Sequence, residues 1–535
     1  MIVADRVGTL LADLGVGRAF GVVGSGNFHV TNALRDAGVP YTAARHEGGA
    51  ATMADAYART SGSVGVLTVH QGCGLTNAMT GIAEAAKSRT PLLVLAAETG
   101  GAAVRSNFRV DQDALARAVG AVPERVHTAA SAAADVVRAY GICRDQRRTV
   151  VLNLPLDVQA AEAVPGAVPA RTTWAAPRPD PASVAALAEL LDGAQRPVFI
   201  AGRGARGARA ELEALADRCG ALLATSAVAH GLFTGSPWSL GISGGFSGRL
   251  AASLIADADV VVAWGASLTM WTTRHGELVR DAVLAQVDDT PEALGAQRPV
   301  SLGVLGDVGA TARDVLEVVW KSEGYRSEAV GRQLRAARHP VPDEVPGERI
   351  DPRLLSAALD ELLPAERTVA VDSGNFMGYP SAYLQVPDEA GFCFTQGFQS
   401  IGLGLATGIG AALARPDRLA VAACGDGGFL MGIAELETAV RLGLGMVVVL
   451  YDDAGYGAEF HHFAGADHDT VRFPDTDLAA IARGYGCDGA VVRSRADLAA
   501  LHGWLSGPRD RPILLDAKIT SDGPSWWLAE AFKGH

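Results

Sequence analysis

Short runs of apolar residues alternate along the whole chain with stretches whose apolar positions recur every three or four residues. In the first third, Ala19–Val23, Val64–Val69 and Leu92–Ala96 read as strands, with helical patterns at 29–37, 48–60 and 75–87 between them. In the middle third the strand-like runs are Pro197–Ala201, Ala221–Thr225, Val260–Trp264 and Val283–Val287. In the last third they are Thr368–Val371, Leu419–Cys424, Met446–Tyr451 and Ile513–Ala517. Strands that are apolar throughout, rather than at alternate positions, are buried on both faces, which is the habit of parallel sheets covered by helices. The pattern therefore predicts an α/β protein built from three consecutive doubly wound parallel-sheet domains.

Proline marks where one unit stops. Pro165, Pro169, Pro177, Pro179 and Pro181 crowd one stretch, and Pro340, Pro342, Pro346 and Pro352 another. Read as linkers, they divide the chain into 1–165, 182–335 and 350–535, a division that suits 535 residues, too many for one core.

Composition adds mainly exclusions. Apolar residues make up 49% and charged residues 20%, an ordinary globular mixture. The net charge of -13 argues against a nucleic-acid partner and is read as a solubility feature. The six cysteines form no C-x-x-C pair, so neither a zinc site nor a disulfide framework is expected. Asp5, Arg6, Asp13 and Arg18 interrupt the first apolar pattern, so it does not read as a secretory signal, and no apolar run is long enough to span a membrane. A cytoplasmic protein without a membrane partner is the expectation.

The chemistry concentrates at strand ends. The strand Leu419–Cys424 runs into Gly425-Asp426-Gly427-Gly428, a helix is expected at 433–442, and the strand Met446–Tyr451 ends in Asp452-Asp453-Ala454-Gly455-Tyr456-Gly457. Parallel strands joined by a crossover helix put both carboxyl ends on one side of the sheet, where ligands of open α/β sheets bind. Two hard oxygen ligands beside glycine-freed backbone N–H groups suit Mg²⁺ bridging a diphosphate.

Gly425-Asp426-Gly427, then 24 residues, then a polar dipeptide resembles the Gly-Asp-Gly…Asn-Asn motif of thiamine-diphosphate (ThDP) enzymes. The resemblance runs through the chain in the order pyrimidine-binding, central and diphosphate-binding domains, and is nearest to the acetolactate synthase and benzoylformate decarboxylase group. It implies Asp426, Asp453 and the carbonyl of Gly455 as Mg²⁺ ligands, with Gly427, Gly428, Tyr456, Gly457 and Asn375 around the diphosphate. Asp452-Asp453 departs from the family's Asn-Asn: the ligating oxygen is kept and charge is added. In Gln396–Gly410, the resemblance puts Ile401 where an apolar residue holds ThDP bent, and the backbone of Gln399 against the aminopyrimidine.

ThDP chemistry also needs a carboxylate at N1′ of the aminopyrimidine, so that C2 of the thiazolium can lose its proton. Glu47, in Arg45-His46-Glu47-Gly48-Gly49-Ala50-Ala51, resembles that activating glutamate, for which burial against the pyrimidine pocket is expected. In the family this residue serves a cofactor held by the neighbouring subunit, which implies a homodimer at minimum and a homotetramer as the expected assembly. Ser25 and His70, each at a strand end, match residues of benzoylformate decarboxylase, and a histidine there suits proton transfer or binding of a 2-oxo acid carboxylate. Glu459 matches a catalytic glutamate of pyruvate decarboxylases. Gln71 and His462 are weaker substrate candidates. Trp526-Trp527 is expected in a packed C-terminal helix.

Gly202-Arg203-Gly204-Ala205-Arg206-Gly207 fits G-x-G-x-x-G after a strand, but no acidic residue ends the next strand, which speaks against NAD. The resemblance leaves a non-redox FAD in the central domain open, as less expected than not. The reading reached is a ThDP- and Mg²⁺-dependent enzyme acting on 2-oxo acids, by decarboxylation followed by carboligation as in acetolactate synthase. The alternative is a simple decarboxylase releasing an aldehyde, as in benzoylformate decarboxylase. A catalytically silent cofactor-binding scaffold and a nicotinamide or flavin oxidoreductase stand further off.

Overall fold

The computed structural model describes residues 1–531 apart from Ala167, Arg171, Thr173, Pro346, Asp522 and Pro524. It contains three six-stranded sheets, and every strand pair in them is parallel. From edge to edge the first sheet runs Tyr41–Ala43, Ala19–Gly21, Gly65–Val69, Leu92–Glu98, Val150–Pro155, Val122–Arg125. The third runs Phe392–Phe394, Arg367–Val371, Leu419–Gly425, Val447–Asp452, Ile513–Lys518, Asp488–Val492. Numbered within each sheet, both have the order 2-1-3-4-6-5. The middle sheet, with strands from Pro197–Ala201 to Leu302–Leu305, has the order 3-2-1-4-5-6 of dinucleotide-binding folds. The two outer units thus share a topology that no local sequence repeat betrays.

The apolar runs read from the sequence all form strands, and the central ones are buried along their whole length. Most of the strands that the pattern missed are sheet edges: Val122–Arg125, Ser239–Ile242, Leu302–Leu305, Phe392–Phe394 and Asp488–Val492. An edge strand is short and half covered, so its apolar signal is weak. The helix expected at 433–442 is corrected by the structure. Helix begins at Asp426, directly at the strand end, and the connection is two short helices, Asp426–Gly432 and Glu435–Arg441. The glycine pair reads as loop, yet Gly427 and Gly428 are helical, placed where there is no room for a side chain.

No element occupies the described residues of the first proline-rich stretch between Ala163 and Asp180; the described residues of the second from Ala337 to Gly347 are likewise irregular, with Pro346 outside them. No helix among the described residues is long and apolar enough to cross a membrane.

The first and third sheets are joined by one continuous core. It includes Phe20, Met53 and Leu67 from one unit and Leu405, Ile409 and Val448 from the other. Its centre is the crossing of helix Glu47–Ser61 over helix Gly404–Ala414. A Cβ on Gly410 would lie well inside contact distance of the Met53 carbonyl oxygen, so only glycine lets the two backbones meet. A buried ion cluster seals the same junction. Arg59 bonds Glu84 at 2.7 Å and Asp55 at 2.7 Å, and Glu84 accepts from the N–H groups of Gly397 (3.0 Å) and Phe398 (2.6 Å). Although buried, Glu84 is held below the usual carboxylate range by Arg59 and these N–H donors. The loop leading to Gln399 and Ile401 is thereby pinned to the first unit.

Gly410→Ala should destabilise the protein by about 1–3 kcal/mol through overpacking. The control is Gly503→Ala in the helix Ala499–Leu505, where nothing lies within 4 Å of the new Cβ. It should stabilise by up to about 1 kcal/mol through helix propensity. Urea denaturation midpoints measure both, and equal shifts would contradict the close helix crossing.

Candidate active site

In the third sheet, Asp372, Asp426 and Asp453 follow the ends of three adjacent strands. A cleft of about 220 Å³ opens there. Asp426 and Asp453 line it together with Gly427, Gly428, Gly455, Tyr456, Gly457, Asn375, Gln399, Ile401 and Glu459. The middle unit contributes Trp271, and the C-terminal segment Leu528. The geometry thus gathers into one wall residues that are more than eighty positions apart.

Close packing shapes this wall. A Cβ on Gly427 would stand 2.5 Å from the Tyr456 ring, one on Gly428 would stand 2.8 Å from Asp372 Oδ2, and one on Gly457 would collide with Asp453 Oδ2. Asp372 itself is structural. It is fully buried and accepts from the N–H groups of Ser373 (2.8 Å), Gly402 (3.0 Å) and Leu403 (3.2 Å), while desolvation pushes its carboxyl up to about 6. Gln399 and Ala454 adopt left-handed backbone at φ 63° and 58°, which non-glycine residues seldom do. Asn375 accepts from Ser525 Oγ at 2.7 Å, and Asp453 from Ser521 Oγ at 3.2 Å.

The electrostatics of the cleft are one-sided. Desolvation, then the nearby charges of Asp452 and Asp453, push the Asp426 carboxyl up to about 8. Desolvation, with Asp452 adding to it, pushes Asp453 up to about 7. No Lys or Arg is among the described residues lining the cleft. Such a site repels a bare diphosphate and accepts one only with a divalent cation between. Two carboxylates beside backbone oxygens fit Mg²⁺, which takes few protein ligands and keeps phosphate oxygens and water. Among the described residues no three His, Cys, Asp or Glu side chains converge as a metal cage.

The substituted Asp452 turns away from the cleft. Its carboxylate meets Lys518 Nζ at 2.6 Å, with both side chains buried. Sequence reasoning missed Lys518, Ser521, Ser525 and Trp271, which come from segments remote from the motif. Only Lys518 left a signal, as a cation at the end of a strand that is apolar apart from it and Asp516.

The first sheet carries a second group of residues at the equivalent strand ends. Ser25 Oγ lies 3.3 Å from His70 Nε2, and His70 Nδ1 lies 2.9 Å from the Gln71 carbonyl oxygen. A carbonyl only accepts, so in the neutral ring Nδ1 carries the proton and Nε2 is free to accept from Ser25. The ring also packs edge-on to Phe108 at 4.9 Å. Asn27 fixes the Ser25 loop, accepting from Gly24 N–H at 2.8 Å and donating to Thr68 Oγ1 at 3.1 Å. Gln71 has its side chain tucked against Gly26 and is 4% exposed.

Glu47 opens the helix Glu47–Ser61, is half-buried, and accepts from Asn77 Nδ2 at 3.1 Å. The buried Glu435 of the third unit clamps the preceding loop, accepting from the N–H groups of Arg45 (3.1 Å) and His46 (3.0 Å). Glu47, Ser25 and His70 are not among the residues lining the cleft of their own chain. Of the two adjacent histidines, His461 bonds Ser521 Oγ at 2.9 Å, while His462 packs edge-on to Phe463; neither lines the cleft. Trp527 is fully buried in the helix Trp526–Ala531, against Tyr379 and Phe246.

In the middle unit, the glycines of Gly202–Gly207 serve packing between loops. Cβ atoms on Gly202 or Gly204 would strike the Gly265 backbone. Arg203 donates to the Ser88 carbonyl and Arg206 to the Glu389 carbonyl, so both arginines bind neighbouring units.

Comparison with known proteins agrees with this geometry. Family models for the thiamine pyrophosphate (thiamine diphosphate) enzymes match the N-terminal TPP binding domain at residues 1–115, the central domain at 184–315 and the C-terminal TPP binding domain at 372–517. A Pseudomonas aeruginosa protein named "Probable 2-ketoarginine decarboxylase AruI" is 32% identical over 92% of this chain and 89% of its own. Sulfoacetaldehyde acetyltransferase of Castellaniella defragrans is 29% identical over 91% of this chain and 87% of its own. The corresponding enzyme of Alcaligenes xylosoxydans xylosoxydans is 28% identical over 89% and 86%. With three domain models in order and a relative of that similarity along nearly its whole length, the chain belongs to the thiamine-diphosphate enzyme family.

Proposed function

We propose that this protein is a ThDP- and Mg²⁺-dependent decarboxylase of 2-oxo acids that releases an aldehyde. The observation that carries the choice of product is the Ser25–His70 pair, a proton-handling group at a strand end of the pyrimidine-side unit. Bound ThDP supplies the electron sink for loss of CO₂. Asp426, Asp453 and the Gly455 carbonyl hold Mg²⁺ against the diphosphate, and the backbone at Gly427, Gly428 and Gly457 lets it approach. Ile401 and Gln399 meet the cofactor's rings. Glu47 holds a proton at the aminopyrimidine. His70, once protonated on both ring nitrogens, would supply a proton from Nε2, directly or through Ser25 Oγ, as the aldehyde forms. Glu459, exposed at the rim, meets the substrate.

A second reading is carboligation, in which a second carbonyl compound takes the place of that proton. The acetyltransferase names among the relatives favour it.

The assembly follows from the separation of the two half-sites. Val23 and Phe28 beside Ser25, and Phe108 and Val110 on the segment whose Phe108 packs against His70, expose apolar surface. Phe398, Leu430, Met431 and Phe463 do so on elements of the diphosphate unit. Exposed apolar groups on both halves suit a second copy that brings Glu47 to the cleft. A homodimer is the smallest working unit, and a homotetramer is two of these.

Incubation of the purified protein with ThDP, Mg²⁺ and a panel of 2-oxo acids, cationic side chains included, should release CO₂ and free aldehyde. An acyloin or acetohydroxy acid as the main product would favour the second reading, and no CO₂ from any member would refute both. Glu47→Gln should lower kcat by about 100-fold or more while ThDP binding, followed by calorimetry, stays within a few fold. His70→Ala should lower kcat by roughly 100-fold and raise the share of acyloin formed when an acceptor aldehyde is supplied, read by product chromatography.

A further inference from the structure

The turn that delivers Asp453 to the cleft is held from behind by an ion cluster that does not touch the cleft. Lys518 ends the strand beside Val447–Asp452 and is almost wholly buried. Its Nζ lies 2.6 Å from Asp452 Oδ2, 2.7 Å from Asp475 Oδ1, 3.1 Å from Asp516 Oδ2 and 2.7 Å from the Thr476 carbonyl oxygen. The other Asp452 oxygen, Oδ1, accepts from the N–H of Ala454 at 2.9 Å. The Asp452 carbonyl accepts from Ile519 N–H at 2.9 Å and from Arg349 Nη1 at 3.1 Å. Asp452 is therefore gripped at both ends, and Ala454 is kept in its left-handed conformation. That conformation sends Asp453 and Gly455 toward the cleft.

A buried carboxylate so close to two others is tolerable only with a cation against it. Without Lys518 nothing would hold the Asp452 carboxylate in this place, and its hold on the Ala454 N–H would loosen. We propose that Lys518 is a positioning residue for the metal loop, acting through Asp452 to aim Asp453 and the Gly455 carbonyl at the bound cation. An amide at position 452 would keep the bond to Ala454 and need no counter-charge. The chain thus pairs a charged turn residue with a lysine from the next strand. The inference rests on the reading of the cleft as the Mg²⁺–diphosphate site.

The test is ThDP binding to the apo protein at saturating Mg²⁺, followed by calorimetry, with circular dichroism to establish folding. Lys518→Met should weaken ThDP binding by about tenfold or more, as is typical when the support of a metal ligand is removed. Asp452→Asn alone should bind within a few fold of wild type, and the Asp452→Asn/Lys518→Met double variant should recover most of the loss. A purely structural lysine predicts the opposite: lowered stability in both lysine variants, with unchanged ThDP affinity in the folded protein. Wild-type affinity in Lys518→Met, or no recovery in the double variant, overturns the proposal. Should Lys518→Met fail to fold, Asp452→Ala decides, because it keeps the lysine and removes the acceptor for Ala454. It should lose affinity where Asp452→Asn does not, and equal binding by the two overturns the proposal. If wild type itself takes up no ThDP with Mg²⁺, the reading of the cleft falls, and the inference with it.

Discussion

Two carboxylates, Asp426 and Asp453, share a cleft lined by neither Lys nor Arg among the described residues, and much of the surrounding structure follows from that uncompensated charge. Desolvation pushes both groups up, to about 8 and about 7, with the charge of Asp452 adding to each. A cation from outside the chain is the natural partner for such a pair, and an anionic ligand enters only with it. The third acid of the region, Asp452, is paired with Lys518 on the neighbouring strand. Local charge is thus sorted in two directions: one carboxylate is neutralised within the protein, and two are left facing the cleft.

The second constraint is close approach. Glycine stands wherever a Cβ would fill the cradle or separate the elements that make it: Gly427 and Gly457 in the cleft, and Gly410 where the helix opened by Glu47 crosses the third unit. The helix of that crossing begins at Glu47, while Glu435, just beyond the Asp426 helix, clamps the loop before it. The Asp426 side and the Glu47 side are consequently braced against each other within one chain, although Glu47 does not line the cleft of its own chain. The Arg59–Glu84 pair extends the bracing to the loop of Gln399 and Ile401.

Much of this was legible along the chain. Continuous apolar strands gave away the parallel sheets. Gly-Asp-Gly at one strand end and an acidic pair at the next pointed to a single site, because adjacent parallel strands end on the same side. The glycine-rich loop at 202–207 shows the limit of such reasoning. Its spacing suits a nucleotide, but its glycines serve contact with Gly265 and its arginines reach into the neighbouring units. Spacing records that a backbone must come close to something, without recording what.

The sequence by itself determined the fold class and the family, because periodicity and short motifs are local properties. Tertiary structure decided the rest. It paired His70 with Ser25 rather than with another neighbour, turned Asp452 toward Lys518 and Asp453 toward the cleft, and brought Ser521, Ser525 and Trp271 to the site. Asp452 ends its strand and Asp453 follows it; the first carboxylate meets a lysine 66 positions away, and the second faces the cleft. Charge compensation acts through space, so it can be read only once the chain is folded.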